Sequence, residues 1–150
     1  MIRIVIVTAI AAWILCSSQG YALFSSYSQT IKTQRFPVDF YDWKGYKIRY
    51  TKSVMDDSNP PIILIHGFGA SFEYYRKQIP VFSRAGYSVY AIDLLGFGGS
   101  EKVVGAGYSA ELWAQQVLDF VTDVVLKSNK SKKMPILAGL YRHMSIVLSQ

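Results

Sequence analysis

Two stretches hold the residues whose types and spacing could do chemistry. The first is Ile62-Ile63-Leu64-Ile65-His66-Gly67-Phe68-Gly69-Ala70-Ser71, an apolar run ending in His-Gly and a small-residue turn. The second runs from Tyr87 through Ile92 to Asp93 and then into a loop with Gly96, Gly98, Gly99 and Ser100. At the carboxyl end of a buried parallel strand, a glycine-rich turn lets backbone N–H groups point into a pocket with no Cβ in the way. Donors so placed can stabilise a developing oxyanion. The candidate binding residues of the first stretch are therefore Gly67, Phe68 and Gly69. Ser71 and Ser100 are nearby hydroxyls with no base in sight, and cap or turn roles suit them better.

The rest of the chain must position these two loops. Ile62 to His66 is apolar and rich in β-branched residues, as in a strand buried on both faces, and Pro60 and Pro61 punctuate its start. Tyr87 to Asp93 reads as a second such strand. Before them, Phe36 to Trp43 and Tyr46 to Thr51 are alternating, aromatic-rich segments split by Lys44-Gly45, a β-hairpin signature. In its second arm, Tyr46, Ile48 and Tyr50 share a face, whereas Lys47, Arg49 and Lys52 belong to wetter positions. Ser71 is expected to cap a short helix with Glu73 in its first turn, and Pro80 to open a second helical piece that runs to Arg84 and stops at Gly86. Ser109 to Lys127 predicts the clearest helix, with Trp113, Val117, Phe120 or Val121, and Val124 as its core stripe. Pro135 to Gly139 opens another buried strand. The order β-β-β-α-β-α-β means an α/β fold with parallel strands and crossover helices after the hairpin.

His66-Gly67-Phe68-Gly69 followed at this distance by Asp93-x-x-Gly96-x-Gly98-x-Ser100 resembles the N-terminal half of the α/β-hydrolase superfamily. The likeness covers roughly Phe40 to Gly139 and is closest in flavour to plant, algal and cyanobacterial members of the pheophytinase-like kind. The resemblance implies that the Phe68 N–H is half of an oxyanion hole, with His66 and Gly67 as the residues that shape its loop. It implies structural roles for His66, bonded within its loop, and for Asp93, whose carboxylate orders the Gly96, Gly98 and Ser100 loop. In this superfamily the strand after the long helix ends in the nucleophile elbow G-x-S-x-G. Gly139 fits its first glycine, but Tyr141 stands at the serine and His143 at the second glycine. The register is lost at one residue, and the family's acid and histidine would come later still. The expectation is an ester or related carbonyl-substrate hydrolase in its intact form, with the nucleophile, acid and histidine absent from this chain and the break at the elbow reflecting a frameshift, retained intron or misjudged exon boundary. The alternative is a catalytically inactive truncated product or a non-enzymatic binding module. Gly69 replaces the proline that epoxide hydrolases usually carry here, which counts against that branch; a dehalogenase-like Asp nucleophile stays open. No cofactor or metal is implied, and the partner of the intact form is a small-molecule substrate.

Composition adds an address. Hydrophobic residues make up 51% and charged residues 17%, inside the globular range, and the single Cys16 excludes an intrachain disulfide. A basic start and the apolar run from Ile4 to Cys16 suit a signal peptide over residues 1–22, cleaved after Ala22. Residues 23–38 are hydroxyl-rich, basic and free of acids, as in a transit-like or disordered linker. Together they predict the secretory pathway, with a plastid of algal type as destination and a secreted or membrane-anchored protein as the alternatives. Once the signal is removed no stable membrane span is expected. The net charge of +6 invites a nucleic-acid partner, yet 13 basic residues face 10 acidic ones after Arg3, Lys32 and Arg35 are set aside. The remaining excess lies mostly in Lys127 to Lys133, which reads as a solvated loop, so no nucleic-acid partner is inferred. The domain thus spans 39–139, with 140–150 as an off-pattern tail.

Overall fold

The computed structural model describes residues 36–55, 59–128 and 133–139. The segments 1–22, most of 23–38, and 140–150 lie outside the described residues.

Alternation in the aromatic-rich opening produces a hairpin of β1 (Asp39–Trp43) and β2 (Tyr46–Ser53). Its turn at Lys44-Gly45 is held by the Gly45 N–H donating to Asp42 Oδ1 at 3.1 Å. Two short apolar strands follow, β3 (Ile62–Ile65) and β4 (Val89–Ile92), every residue of which is buried. β5 (Ile136–Gly139) completes a five-stranded sheet in the order β1-β2-β4-β3-β5. β3 runs parallel to both β4 and β5, whereas β2 is antiparallel to β4. The fold is thus α/β, with a hairpin appended to a parallel core.

Strand alternation sorts the core into two layers. Ile63, Ile65, Tyr90, Ile92, Ile48 and Tyr50 pack with Trp113, Val117 and Phe120 of helix α2 (Ala110–Phe120). Ile62, Leu64, Val89 and Ala91 pack on the opposite side with Phe72 and Tyr75 of a 3₁₀ turn (Phe72–Tyr75) and Ile79 of helix α1 (Gln78–Arg84). Ser109 caps α2 by accepting from the Leu112 N–H at 3.2 Å. Pro80 falls inside the first turn of α1 rather than at its opening residue, where its missing N–H is equally harmless.

The expected stripe on α2 needs one correction. The helix continues through a π-helical segment, Val121–Val125, and a last turn, Leu126–Ser128. A π segment inserts an extra residue per turn and advances the buried face by one position. Val125 is therefore wholly buried in place of Val124, which sits at the margin of the core. β1 holds this region from outside: the Trp43 indole donates to Asp119 at 2.8 Å and the Tyr41 hydroxyl to Asp123 at 3.1 Å.

Val125→Ala is expected to lower stability by about 2 kcal/mol, and Val124→Ala by less than half of that. Urea unfolding of the two variants measures the difference; equal losses would mean that the helix keeps its α register through Val124.

Candidate functional site

The register of the sheet brings the two loops together. Ile65 pairs with Ile92, so His66 and Asp93 leave the carboxyl ends of β3 and β4 as neighbours. Tyr50 pairs with Ile92 across the antiparallel side, which puts Arg49 opposite Asp93.

Asp93 is fully buried, and its carboxylate is surrounded by donors from three segments. Oδ1 accepts from the Phe72 N–H at 2.6 Å, and Oδ2 accepts from Arg49 Nε at 2.6 Å and from the Gly99 N–H at 2.8 Å. The Ser100 hydroxyl donates to the Asp93 carbonyl at 2.7 Å and accepts from the Arg49 N–H at 2.9 Å. Arg49 also reaches Glu73 at 3.3 Å and lies 4.4 Å over the Phe72 ring. The cap of the 3₁₀ turn thus comes from Asp93. Ser71 occupies the cap position but makes no side-chain bond there. Gly98 has φ +50, and a Cβ at that position would collide with the Asp93 carboxylate.

His66 is equally enclosed. The Leu94 N–H donates to Nε2 at 3.0 Å, which places the proton on Nδ1, and Nδ1 lies 2.7 Å from the Gly67 carbonyl as its donor. Burial holds the imidazole below its ordinary value of 6.5, against smaller upward pulls from the Gly67 carbonyl and Asp93. Behind it, Gln116 accepts from the Leu95 N–H at 2.9 Å, and the Trp113 indole donates to the Leu95 carbonyl at 3.0 Å. The Tyr75 hydroxyl donates to the Ile65 carbonyl at 2.7 Å, its phenol pushed up to about 12 by burial.

The turn after His66 is the exception to this closure. The Ala70 N–H closes it on the Gly67 carbonyl at 3.2 Å, with Gly69 at φ +73 as the third position of a type II turn requires. Phe68 occupies the second position with 76% of its surface exposed, and its N–H donates to no acceptor among the described residues.

The structure therefore gathers Gly67, Phe68 and Gly69 at one turn, and His66, Asp93, Gly98 and Ser100 in the frame behind it. Gly96 joins through its N–H to the Glu101 carbonyl at 2.8 Å. Sequence reasoning missed two members. Arg49 alternates correctly for a wet face of β2, yet it covers Phe72 and pairs with a buried carboxylate. Gln116 sits beside Val117 and reads as the flank of a stripe, yet it is fully buried. Neither residue type carries a signal of its own at such positions. Among the described residues no cluster of histidine, cysteine, aspartate or glutamate could hold a metal ion. No helix among them is long and apolar enough to cross a membrane.

Comparison with known proteins places this geometry. Residues 60–130 match the family described as the alpha/beta hydrolase fold. Over 70 residues the chain is 40% identical to epoxide hydrolase B of Mycobacterium tuberculosis, which takes in 47% of this chain and 18% of that one. It is 41% identical over 86 residues to a haloalkane dehalogenase of Psychrobacter cryohalolentis, covering 55% of this chain and 28% of the other. The solved structure of an epoxide hydrolase from Vigna radiata superposes with a TM-score of 0.61 over 75% of this chain and 35% of that one, at 20% identity. That last likeness is one of fold alone. The matches span less than a third of the length of these two curated relatives.

Two outcomes test the frame. Gly98→Ala should cost about 3 kcal/mol, combining left-handed strain of about 1–2 kcal/mol with displacement of the carboxylate. Gly105→Ala, at φ +79 with open space around it, should show the strain alone by urea unfolding. For His66 the folded state prefers the neutral ring, so its contribution is complete above the ordinary 6.5 and declines as pH falls through that value towards the lowered folded one. Urea midpoints compared at pH 7.5 and pH 5.5 should fall for the parent chain. In His66→Gln, with His143 retained, that part of the dependence should vanish.

Proposed function

The chain belongs to the α/β-hydrolase superfamily, and from that premise we propose that residues 39–139 form the oxyanion-binding half of a hydrolase site, the intact form cleaving an ester or related carbonyl substrate. The observation that carries this reading is the Phe68 N–H, which has no acceptor among the described residues, on a turn closed by the Ala70 N–H on the Gly67 carbonyl. Attack on a carbonyl places negative charge on its oxygen, and a fixed main-chain donor stabilises that charge more than it stabilises the neutral ground state. His66 and Asp93 are not the base or the nucleophile, since both ring nitrogens and both carboxylate oxygens are occupied. The nucleophile then falls after Gly139, where Tyr141 stands at the serine position. The substrate is a small molecule, and the reading calls on no cofactor. The apolar run from Ile4 to Cys16 supports entry into the secretory pathway, with a plastid as one destination.

The relatives favour a second reading. The proteins matched at 40% and 41% identity are named as an epoxide hydrolase and a haloalkane dehalogenase, not as the pheophytinase-like members suggested by the motifs. A carboxylate nucleophile would serve that chemistry. Gly69 speaks against the epoxide branch: proline is locked near φ −65 and cannot take the φ of +73 found here. Tyr141, Arg142 and His143, where the elbow needs serine and small neighbours, favour a third outcome, a product that binds without turnover.

Transcripts sequenced across the codons of Leu137 to Tyr141 separate the three, with each encoded product assayed on p-nitrophenyl butyrate, styrene oxide and 1-bromobutane. A product continuing from Gly139 into x-Ser-x-Gly and hydrolysing the ester is expected. In it Phe68→Pro removes the donor at a turn position that accepts proline, and kcat should fall about 10²–10³-fold. Cleavage of the epoxide or haloalkane alone overturns the ester reading, and Tyr141 in every transcript leaves only binding.

A further inference from the structure

The free N–H of the β3 turn stands at the edge of an aromatic array that the oxyanion role does not require. The Phe68 ring meets Phe97 edge-on at 5.2 Å, and Phe97 packs on Trp113 at 5.5 Å. Trp113 stacks on Tyr108 at 6.1 Å with 20° between the planes. Trp113 is buried, but Phe68 is 76% and Tyr108 39% exposed, so the array rises from the core to the surface on both sides of Phe97.

Its polar atoms are used inside the protein. The Trp113 indole N–H is bonded to the Leu95 carbonyl at 3.0 Å. The Tyr108 hydroxyl donates to the Val103 carbonyl at 3.1 Å and accepts from the Val103 N–H at 2.9 Å. Of the cations of these loops, Arg49 is paired with Asp93 and Glu73, and Lys102 Nζ is turned onto the Gly98 carbonyl at 2.8 Å. Beside the Phe68 N–H, what this end of the sheet offers a ligand is several hydrocarbon faces, with the Arg49 charge already paired to Asp93 and Glu73.

We infer that Phe68, Phe97 and Tyr108 form a specificity wall for this site, selecting substrates with an aryl or similarly flat apolar group a few bonds from the acceptor oxygen. The ring of Phe68 and its N–H belong to one residue, which fixes that spacing. Aromatic faces favour edge or offset contacts with such a group over a bare methyl. The inference rests on the hydrolase reading for the N–H but is separable from it, because the wall would bind a ring with or without the donor.

The test uses the ¹⁵N-labelled 150-residue chain titrated with N-benzylacetamide, which carries both ring and carbonyl, and with N-methylacetamide, which carries the carbonyl alone. The readouts are the Phe68 amide and Trp113 indole resonances. N-benzylacetamide should shift both and bind about 10-fold more tightly, the size of one good aromatic contact. Phe68→Ala, which removes an exposed ring and keeps the N–H, should bring the ratio near 1, and Phe68→Trp should restore it. Equal affinities in the parent chain, or a ratio unchanged by Phe68→Ala, overturn the wall. Shifts at Trp113 without any at the Phe68 amide overturn the donor reading and leave the wall standing.

Discussion

A carboxylate taken wholly out of water must be met by donors on each of its oxygens, and Asp93 imposes that condition on the structure around it. The cost of burying an ion runs to several kcal/mol before compensation. Here compensation comes from Arg49 on β2, from the Phe72 N–H just past the β3 turn, and from the Gly99 N–H on its own loop. None of these segments can shift without leaving part of the charge unpaired. Ser100 closes a second circuit between the same strand and the same loop, bonding the Asp93 carbonyl and the Arg49 N–H together. The loops after β3 and β4 are therefore one mechanical unit, although more than twenty residues separate them in the chain.

That unit explains residue choices which otherwise look unrelated. Gly98 must lack a side chain because the Asp93 carboxylate fills the space. The ion pair forms because the β2–β4 register sets Arg49 across from Asp93, and that register follows from Ile48 and Tyr50 taking the α2 side of the sheet. Strand alternation then leaves Arg49 the opposite face, where its guanidinium covers Phe72. A one-residue slip of β2 would send the arginine into the apolar layer and strand the carboxylate.

Much of this architecture is legible in the sequence because it rests on local rules. The apolar runs of β3 and β4, the hairpin alternation, the Ser109 cap and the glycine turns each announce themselves within a few residues. What escaped is what depends on distant partners. Arg49 differs in no local respect from Lys47, yet one is exposed and the other completes a buried ion pair. Gln116 is one helical step from Val117, and only the arrival of the Leu95 N–H makes its burial tolerable. The displacement of the stripe from Val124 to Val125 comes from a π segment, for which the run of valines carries no cue. Ser71 sits where a cap belongs, but the Phe72 N–H is claimed by a carboxylate from the next loop.

The same closure limits which groups can act on a ligand. Side chains with chemical reputations, His66, Asp93, Ser100 and Gln116, spend their polar atoms on the frame and keep it rigid. Under the proposed function, contact with the reacting oxygen passes to the main chain, at the residue where the frame stops. Phe68 is that residue: the turn that exposes its N–H also turns its ring outward, against Phe97. In the proposed role, a donor fixed by so many buried bonds would need little reorganisation as charge develops in front of it, which is the condition under which electrostatic stabilisation is strongest. Rigidity behind the turn and openness at it are two consequences of one buried carboxylate and one buried imidazole.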